Sequence, residues 1–149
     1  MPAAKTYLVP VDFSKTSEAA LRYALDEARD DSGKLFLLHV IPTSAYTIAA
    51  PEGGAPGMYV DYIKIAQESA EKEMQKLIKK YKLKPNEYRS KIVRGGDPPD
   101  VIAKQAKKAR AKMIVMGSHG RSGIERFFLG SVAERTLRYA ACPTLIVKR

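Results

Sequence analysis

The apolar run Met113-Ile114-Val115-Met116 passes directly into Gly117-Ser118-His119-Gly120 and then, after nine intervening residues, into Gly130-Ser131. Four apolar residues bounded by glycine read as a short strand buried on both faces, the kind found in parallel sheets. Ser131-Val132-Ala133-Glu134 reads as a helix start, with serine followed three residues later by glutamate in a capping-box pattern. A strand joined to a helix through a glycine-punctuated loop is a cradle for an anion. The free N–H groups and positive dipole end of the helix favour negative charge at Ser131. Gly117 and Gly120 either turn with positive φ or let a phosphate approach a backbone that carries no Cβ.

The same alternation runs through the chain. Thr6 to Val11 is β-like, and Ala20, Leu21, Ala24, Leu25 and Ala28 then recur at helical spacing until Gly33. Lys34 to Val40 gives a second strand. Ile63, Ala66, Ala70, Met74, Leu77, Ile78 and Tyr81 mark one face of a second helix that ends before Pro85-Asn86. Tyr88 to Val93 supplies a third strand. Asp97 is placed as an N-cap with Pro98 at the first helical position, and Ile102, Ala106 and Ala109 point inward from the third helix. The fourth strand, its loop, the fourth helix and Thr144 to Val147 follow. Strands alternating with helices in this way predict an α/β protein, an open five-stranded parallel sheet covered on both faces.

Length and composition set outer bounds. The 149 residues fit one domain, residues 1–149, with a core of ordinary size. A single cysteine, Cys142, excludes an internal disulfide and reads as a small buried hydrophobe. The start leads straight into a strand without a signal-peptide core, and no stretch of about 18 or more apolar residues occurs. A cytoplasmic protein without a membrane span is expected. The net charge of +10, from 26 Lys plus Arg against 16 Asp plus Glu, suits an acidic partner or nucleic acid. The basic clusters Lys76–Lys82 and Lys104–Arg110, however, lie over continuing apolar periodicity, as solvated helix faces do, and no aromatic-interleaved stripe accompanies them. Nucleic acid is therefore disfavoured as a partner. His39 and His119 are far apart and lack a Cys or His at metal spacing, which argues against zinc.

The glycine spacing resembles the nucleotide-binding signature of the universal stress protein family. Leu8-Val9-Pro10-Val11-Asp12-Phe13-Ser14, Leu38-His39-Val40, Gly95 through Pro98, and Ala141-Cys142-Pro143 agree with the same family, so the resemblance covers nearly the whole chain. It departs in the long loop after Ile41 and in the doubled proline Pro98-Pro99. The resemblance implies a Rossmann-like strand order 3-2-1-4-5, whose reversal between strands one and four brings Pro10 to Asp12 beside Met116 to Gly120. It further implies ATP, or ADP or AMP, as ligand, with Mg or Mn. Val40 would offer backbone groups to the adenine edge, Val11 and Met116 would pack on its faces, and Asp12 would take the ribose or a metal-bound water. Gly117, Gly120, Gly130, Ser131 and Val132 would surround the phosphates, with Ser118, His119 and Arg121 in the same loop.

From the residues alone, Asp12 is equally a helix cap or turn residue, and His119 and Arg121 are equally solvated side chains. Catalysis on ATP would need a held metal and a positioned base. Asp12 is the one carboxylate expected there, Glu125 has no readable direction, and no Walker-type ending occurs, so a nucleotide-dependent switch in stress response or signalling is expected rather than an enzyme. Slow hydrolysis, or a protein-interaction module without nucleotide, are the alternatives. The segment 42–57 is read as a flexible loop or lid, with Tyr46 and Met58 as the residues that either fold onto a bound base or anchor to the second helix. In the implied order Thr144-Leu145-Ile146-Val147 is an edge strand with an apolar sequence, which predicts a homodimer.

Overall fold

Side-chain alternation along the strands divides the core into two layers. The computed structural model describes residues 4–44, 56–120 and 128–148, without the side chains of 56–61. Its elements are β1 (Thr6–Pro10), α1 (Lys15–Asp30), β2 (Lys34–Ile41), α2 (Pro56–Lys80), β3 (Tyr88–Arg94), α3 (Pro98–Lys108), β4 (Met113–Gly117), α4 (Ser131–Tyr139) and β5 (Thr144–Val147). The strands form one parallel sheet in the order β3-β2-β1-β4-β5, the Rossmann-like arrangement expected. Tyr7, Val9, Leu35, Leu37 and Val115 face Leu21, Ala24 and Leu25 of α1 and Met74 and Leu77 of α2. Their neighbours Leu8, Phe36, Leu38, Ile114 and Met116 face Ile102 and Ala106 of α3 and Ala133 of α4. Strand residues are thus buried on both sides, which is why the central strands read as unbroken apolar runs.

The basic clusters lie as the periodicity implies. Leu77, Ile78 and Ala106 are buried, while Lys76, Lys79, Lys80, Lys104, Lys107 and Lys108 are exposed. No helix among the described residues is long and apolar enough to cross a membrane. Cys142 is half-buried at the edge of the second core layer, and burial pushes its thiol above the ordinary value.

Helix ends show where local patterns were overridden. Ser14 caps α1, accepting from Ser17 N–H at 3.2 Å. Asp97 occupies the N-cap of α3 as expected, but its carboxylate makes no cap bond and pairs with the Arg135 guanidinium from α4. Pro98 and Pro99 have no N–H, so the N2 donor that a cap side chain could meet does not exist. The capping box at Ser131 is corrected: Gly130 is the N-cap, Ser131 is the first helical residue, and Glu134 pairs instead with Arg138 at 2.8 Å. Of the segment 42–57, residues 45–55, Tyr46 included, lie outside the described residues. At its ends, Thr43 exchanges backbone and side-chain bonds with Gly96 (3.1 and 2.6 Å), and Pro56 and Gly57 belong to α2.

Where α1 meets the end of α2, Glu18 accepts from Tyr81 Oη at 2.5 Å and from Lys80. Burial, reinforced by the bond to Glu18, pushes the Tyr81 phenol up to about 12. A folded-state value above the ordinary 10.0 means that this contribution to stability is full below pH 10 and is lost as the pH rises through about 12. Alkaline titration of phenolate absorbance should show a late step near pH 12 that disappears in Tyr81→Phe. A titration curve unaltered by the substitution would refute the assignment.

Candidate functional site

In an open parallel sheet the strand order reverses where helices leave on opposite faces, and a cleft opens at the carboxyl ends of the strands there. Here β1 and β4 diverge, α1 leaving on one face and α4 on the other. The resulting cleft measures about 640 Å³, and its walls include Pro10, Val11, Asp12, Val40, Met116, Gly117, His119, Gly120, Gly130, Ser131 and Val132. Two site residues from the sequence stand apart. Ser118 is buried beneath the loop rather than on the wall, with Oγ 3.0 Å from His119 Nδ1, and Arg121 lies outside the described residues, as does Glu125.

The backbone of Val40 is placed by register. Residues of a parallel strand direct N–H and C=O alternately to either neighbour. Leu38 turns toward β1, its carbonyl accepting from Val11 N–H at 2.8 Å, so Val40 turns the same way. At that level β1 has ended, and the Val11 carbonyl takes His39 Nδ1 at 2.7 Å instead. Val40 therefore presents a donor and an acceptor toward the cleft, the pair an adenine edge requires. A carbonyl only accepts, so Nδ1 of His39 carries the proton. Its ring meets Phe13 at 4.6 Å between centroids, tilted by 33°. Phe13 has φ 65°, a left-handed conformation that costs a non-glycine residue roughly 1–2 kcal/mol. That kink separates the end of β1 from the cap of α1 and turns Asp12 back upon Ser14. Asp12 Oδ1 accepts from Ser14 N–H at 3.0 Å and from Ser14 Oγ. The turn-holding role is thus present, and it leaves Asp12 on the cleft wall.

Glycine at the loop answers to space. Among the described glycines only Gly95 and Gly96 have positive φ, so the signature glycines do not adopt the left-handed turn that was one of two readings. A Cβ on Gly117 would lie 2.9 Å from the Thr16 carbonyl carbon in α1. One on Gly120 would lie 2.6 Å from Asp12 Oδ2. The loop is closed at its base, Gly130 N–H donating to the Ser118 carbonyl at 2.6 Å. It ends at the N-terminus of α4, where the N-cap Gly130 supplies no side-chain bond, so among the described residues no side chain caps the first N–H groups of that helix at the cleft mouth.

Several wall residues were not assigned to the site from the sequence. Phe13, His39 and Pro98 reach the cleft, as do Tyr62, Ser69 and Glu73 from α2. Glu73 also pairs with Lys76 at 2.6 Å. No cluster of three or more His, Cys, Asp or Glu able to hold a metal occurs among the described residues.

Sheet order, crossover helices and a cleft at the reversal point define a doubly wound α/β protein of Rossmann-like architecture. The sequence matches the universal stress protein family over residues 4–148, and the chain belongs to that family. It is 32% identical to universal stress protein MJ0531 of Methanocaldococcus jannaschii over 148 residues, which span 97% of this chain and 82% of that protein. Its fold superposes on the solved structure of MJ0577 from the same organism with a TM-score of 0.82 at 28% identity, covering 99% and 98% of the two chains. An Archaeoglobus fulgidus universal stress protein in complex with dAMP is also similar, with a TM-score of 0.62 at 25% identity over 99% and 100% of the chains.

Proposed function

We propose that this universal stress protein binds an adenine nucleotide, ATP or its di- or monophosphate, in the cleft between the ends of β1 and β4, and acts as a nucleotide-dependent switch rather than as a turnover enzyme. The observation that carries the reading is the pairing of two recognition elements across one cleft. The outward-turned backbone of Val40 lies at one end, and the uncapped start of α4 with its glycine loop lies at the other. The complex of the A. fulgidus relative with dAMP supports the same ligand class. A metal ion fits as a companion of the phosphates: Mg²⁺ is commonly held by one or two carboxylates plus phosphate oxygens, and Asp12 supplies one carboxylate beside the loop. When bound, the metal would neutralise phosphate charge. Asp12 would orient the ribose or a metal-bound water, and Gly117, Gly120, Gly130, Ser131 and Val132 would surround the phosphates.

Mass spectrometry of the small molecules released from purified, denatured protein should find an adenine nucleotide, and calorimetry should show ATP binding to the emptied protein. Asp12→Ala should weaken that binding by about 1.5–3 kcal/mol, the scale of a hydrogen bond to a charged acceptor. If Asp12→Ala instead lowers the melting temperature sharply with affinity intact, the carboxylate serves only its turn with Ser14. The same reading includes a homodimer through β5, the edge strand at the end of the sheet order.

A further inference from the structure

A file of polar groups joins the two halves of the cleft beneath its floor. Asp12 Oδ1 accepts from Ser14 Oγ, Ser14 Oγ lies 3.1 Å from Thr16 Oγ1, and Thr16 Oγ1 donates to the His119 carbonyl between Gly117 and Gly120. Thr16 is buried, and the backbone of α1 at this residue is the surface against which Gly117 packs. Each hydroxyl owns one proton. The Thr16 proton is committed to a carbonyl, which can only accept, and the Ser14 proton to the Asp12 carboxylate. The Ser14 to Thr16 contact therefore has two oxygens and no proton between them. With the Thr16 bond to the carbonyl kept, it gains one only if Ser14 turns its hydroxyl from Asp12 to Thr16, and Asp12 can release it when another donor reaches Oδ1.

We propose that Thr16 is a positioning residue through which a hydroxyl donor bound at Asp12 tightens the backbone from Gly117 to Gly120. With Ser14 donating to Thr16, and Thr16 to the His119 carbonyl, both bonds point the same way and polarise each other. The carbonyl is then held more firmly, and with it the backbone that leads to Gly120. Occupancy at the carboxylate end and occupancy at the phosphate end become coupled, and the coupling is reciprocal. This inference rests on the adenine-nucleotide reading, with ribose hydroxyls as the donor.

The test compares ATP with 2′,3′-dideoxy-ATP by calorimetry on the full chain. In the wild-type protein, loss of the ribose hydroxyls removes both their contact with Asp12 and the tightening of the loop. Thr16→Val keeps the shape of the side chain and deletes the hydroxyl, so the dideoxy-to-ATP ratio of dissociation constants should fall by about fivefold, the equilibrium equivalent of one net hydrogen bond. Thr16→Ser should restore the wild-type ratio, which a packing role for the threonine methyl would not do. Should Thr16→Val fail to fold, Ser14→Ala breaks the file one atom earlier and must lower the ratio in the same way. An unchanged ratio in the folded variants, or failure of Thr16→Ser to restore it, would overturn the coupling while leaving nucleotide binding in place. Absence of ATP binding by the wild-type protein would overturn the parent reading and the coupling with it.

Discussion

Gly120→Ala is expected to weaken adenine-nucleotide binding by about 10–100-fold while changing the melting temperature little. The added Cβ lies 2.6 Å from Asp12 Oδ2, and the next atom, Asp12 Cγ, is 3.8 Å away. The obstructed group is a carboxylate end, which can shift more cheaply than helix backbone, at the expense of its bonds to Ser14. It then leaves the position from which it serves the ligand, and a charged hydrogen bond of about 1.5–3 kcal/mol goes with it. Gly117→Ala is the contrasting variant. Its Cβ meets the Thr16 carbonyl carbon and Cβ at 2.9 Å and the carbonyl oxygen at 3.0 Å, so α1 itself must move off β4. Overpacking of that kind costs about 1–3 kcal/mol of stability. Calorimetry and thermal melts on both variants separate the two effects, and wild-type affinity in Gly120→Ala would show that the space around Asp12 does not matter to the ligand.

Ile146→Pro is expected to yield monomers at micromolar concentration in sedimentation, where the wild-type protein is expected to sediment as a dimer. The register assigns the outward groups of β5. The carbonyls of Pro143 and Val147 point to β4, accepting from Ile114 and Ser118 at 2.9 and 3.1 Å, so the alternation turns Thr144 and Ile146 outward. Proline at position 146 removes an outward donor and spares the ladder to β4. In a two-fold pair the loss occurs twice, at about 1–3 kcal/mol for each acceptor left unmatched in the interface. Val132, Leu137 and Tyr139 of α4 are exposed as well. The opposite edge differs: Arg89, Ser90 and Lys91 are all exposed along β3, and such charges discourage strand addition. A wild-type protein that sediments as a monomer at these concentrations would remove the proposal.

The parts of the fold legible in the sequence were those governed by period and spacing. Apolar runs at Leu35–Leu38 and Ile114–Met116 announced strands buried on both faces, and the glycine spacing placed the loop at the end of β4. Strand order came from the family resemblance, because periodicity does not say which strands are neighbours. The false signal was Ser131. Its spacing from Glu134 satisfies a capping box, yet Gly130 takes the N-cap, and the helix begins one residue earlier than the pattern requires. Contacts set by register were beyond reach. His39 meets Phe13 and the Val11 carbonyl only because β2 outlasts β1, and Arg135 finds Asp97 across 38 residues through the packing of α3 against α4. Thr16 looked like any residue of a first helical turn, and its bond to His119 spans 103 positions.

The bond from Ser118 N–H to the Val147 carbonyl ties the last residue of the outer strand to the base of the loop. Through it, the edge where a second copy would dock and the cradle where a phosphate would sit share one rigid joint. Were the protein to dimerise through β5 and to bind nucleotide at the loop, such a joint would couple the two: whatever holds β5 in place would favour the ligand, and the reverse would hold equally. Dilution would then act on the molecule as an antagonist does, and a titration performed at one protein concentration would trace only one line across a surface.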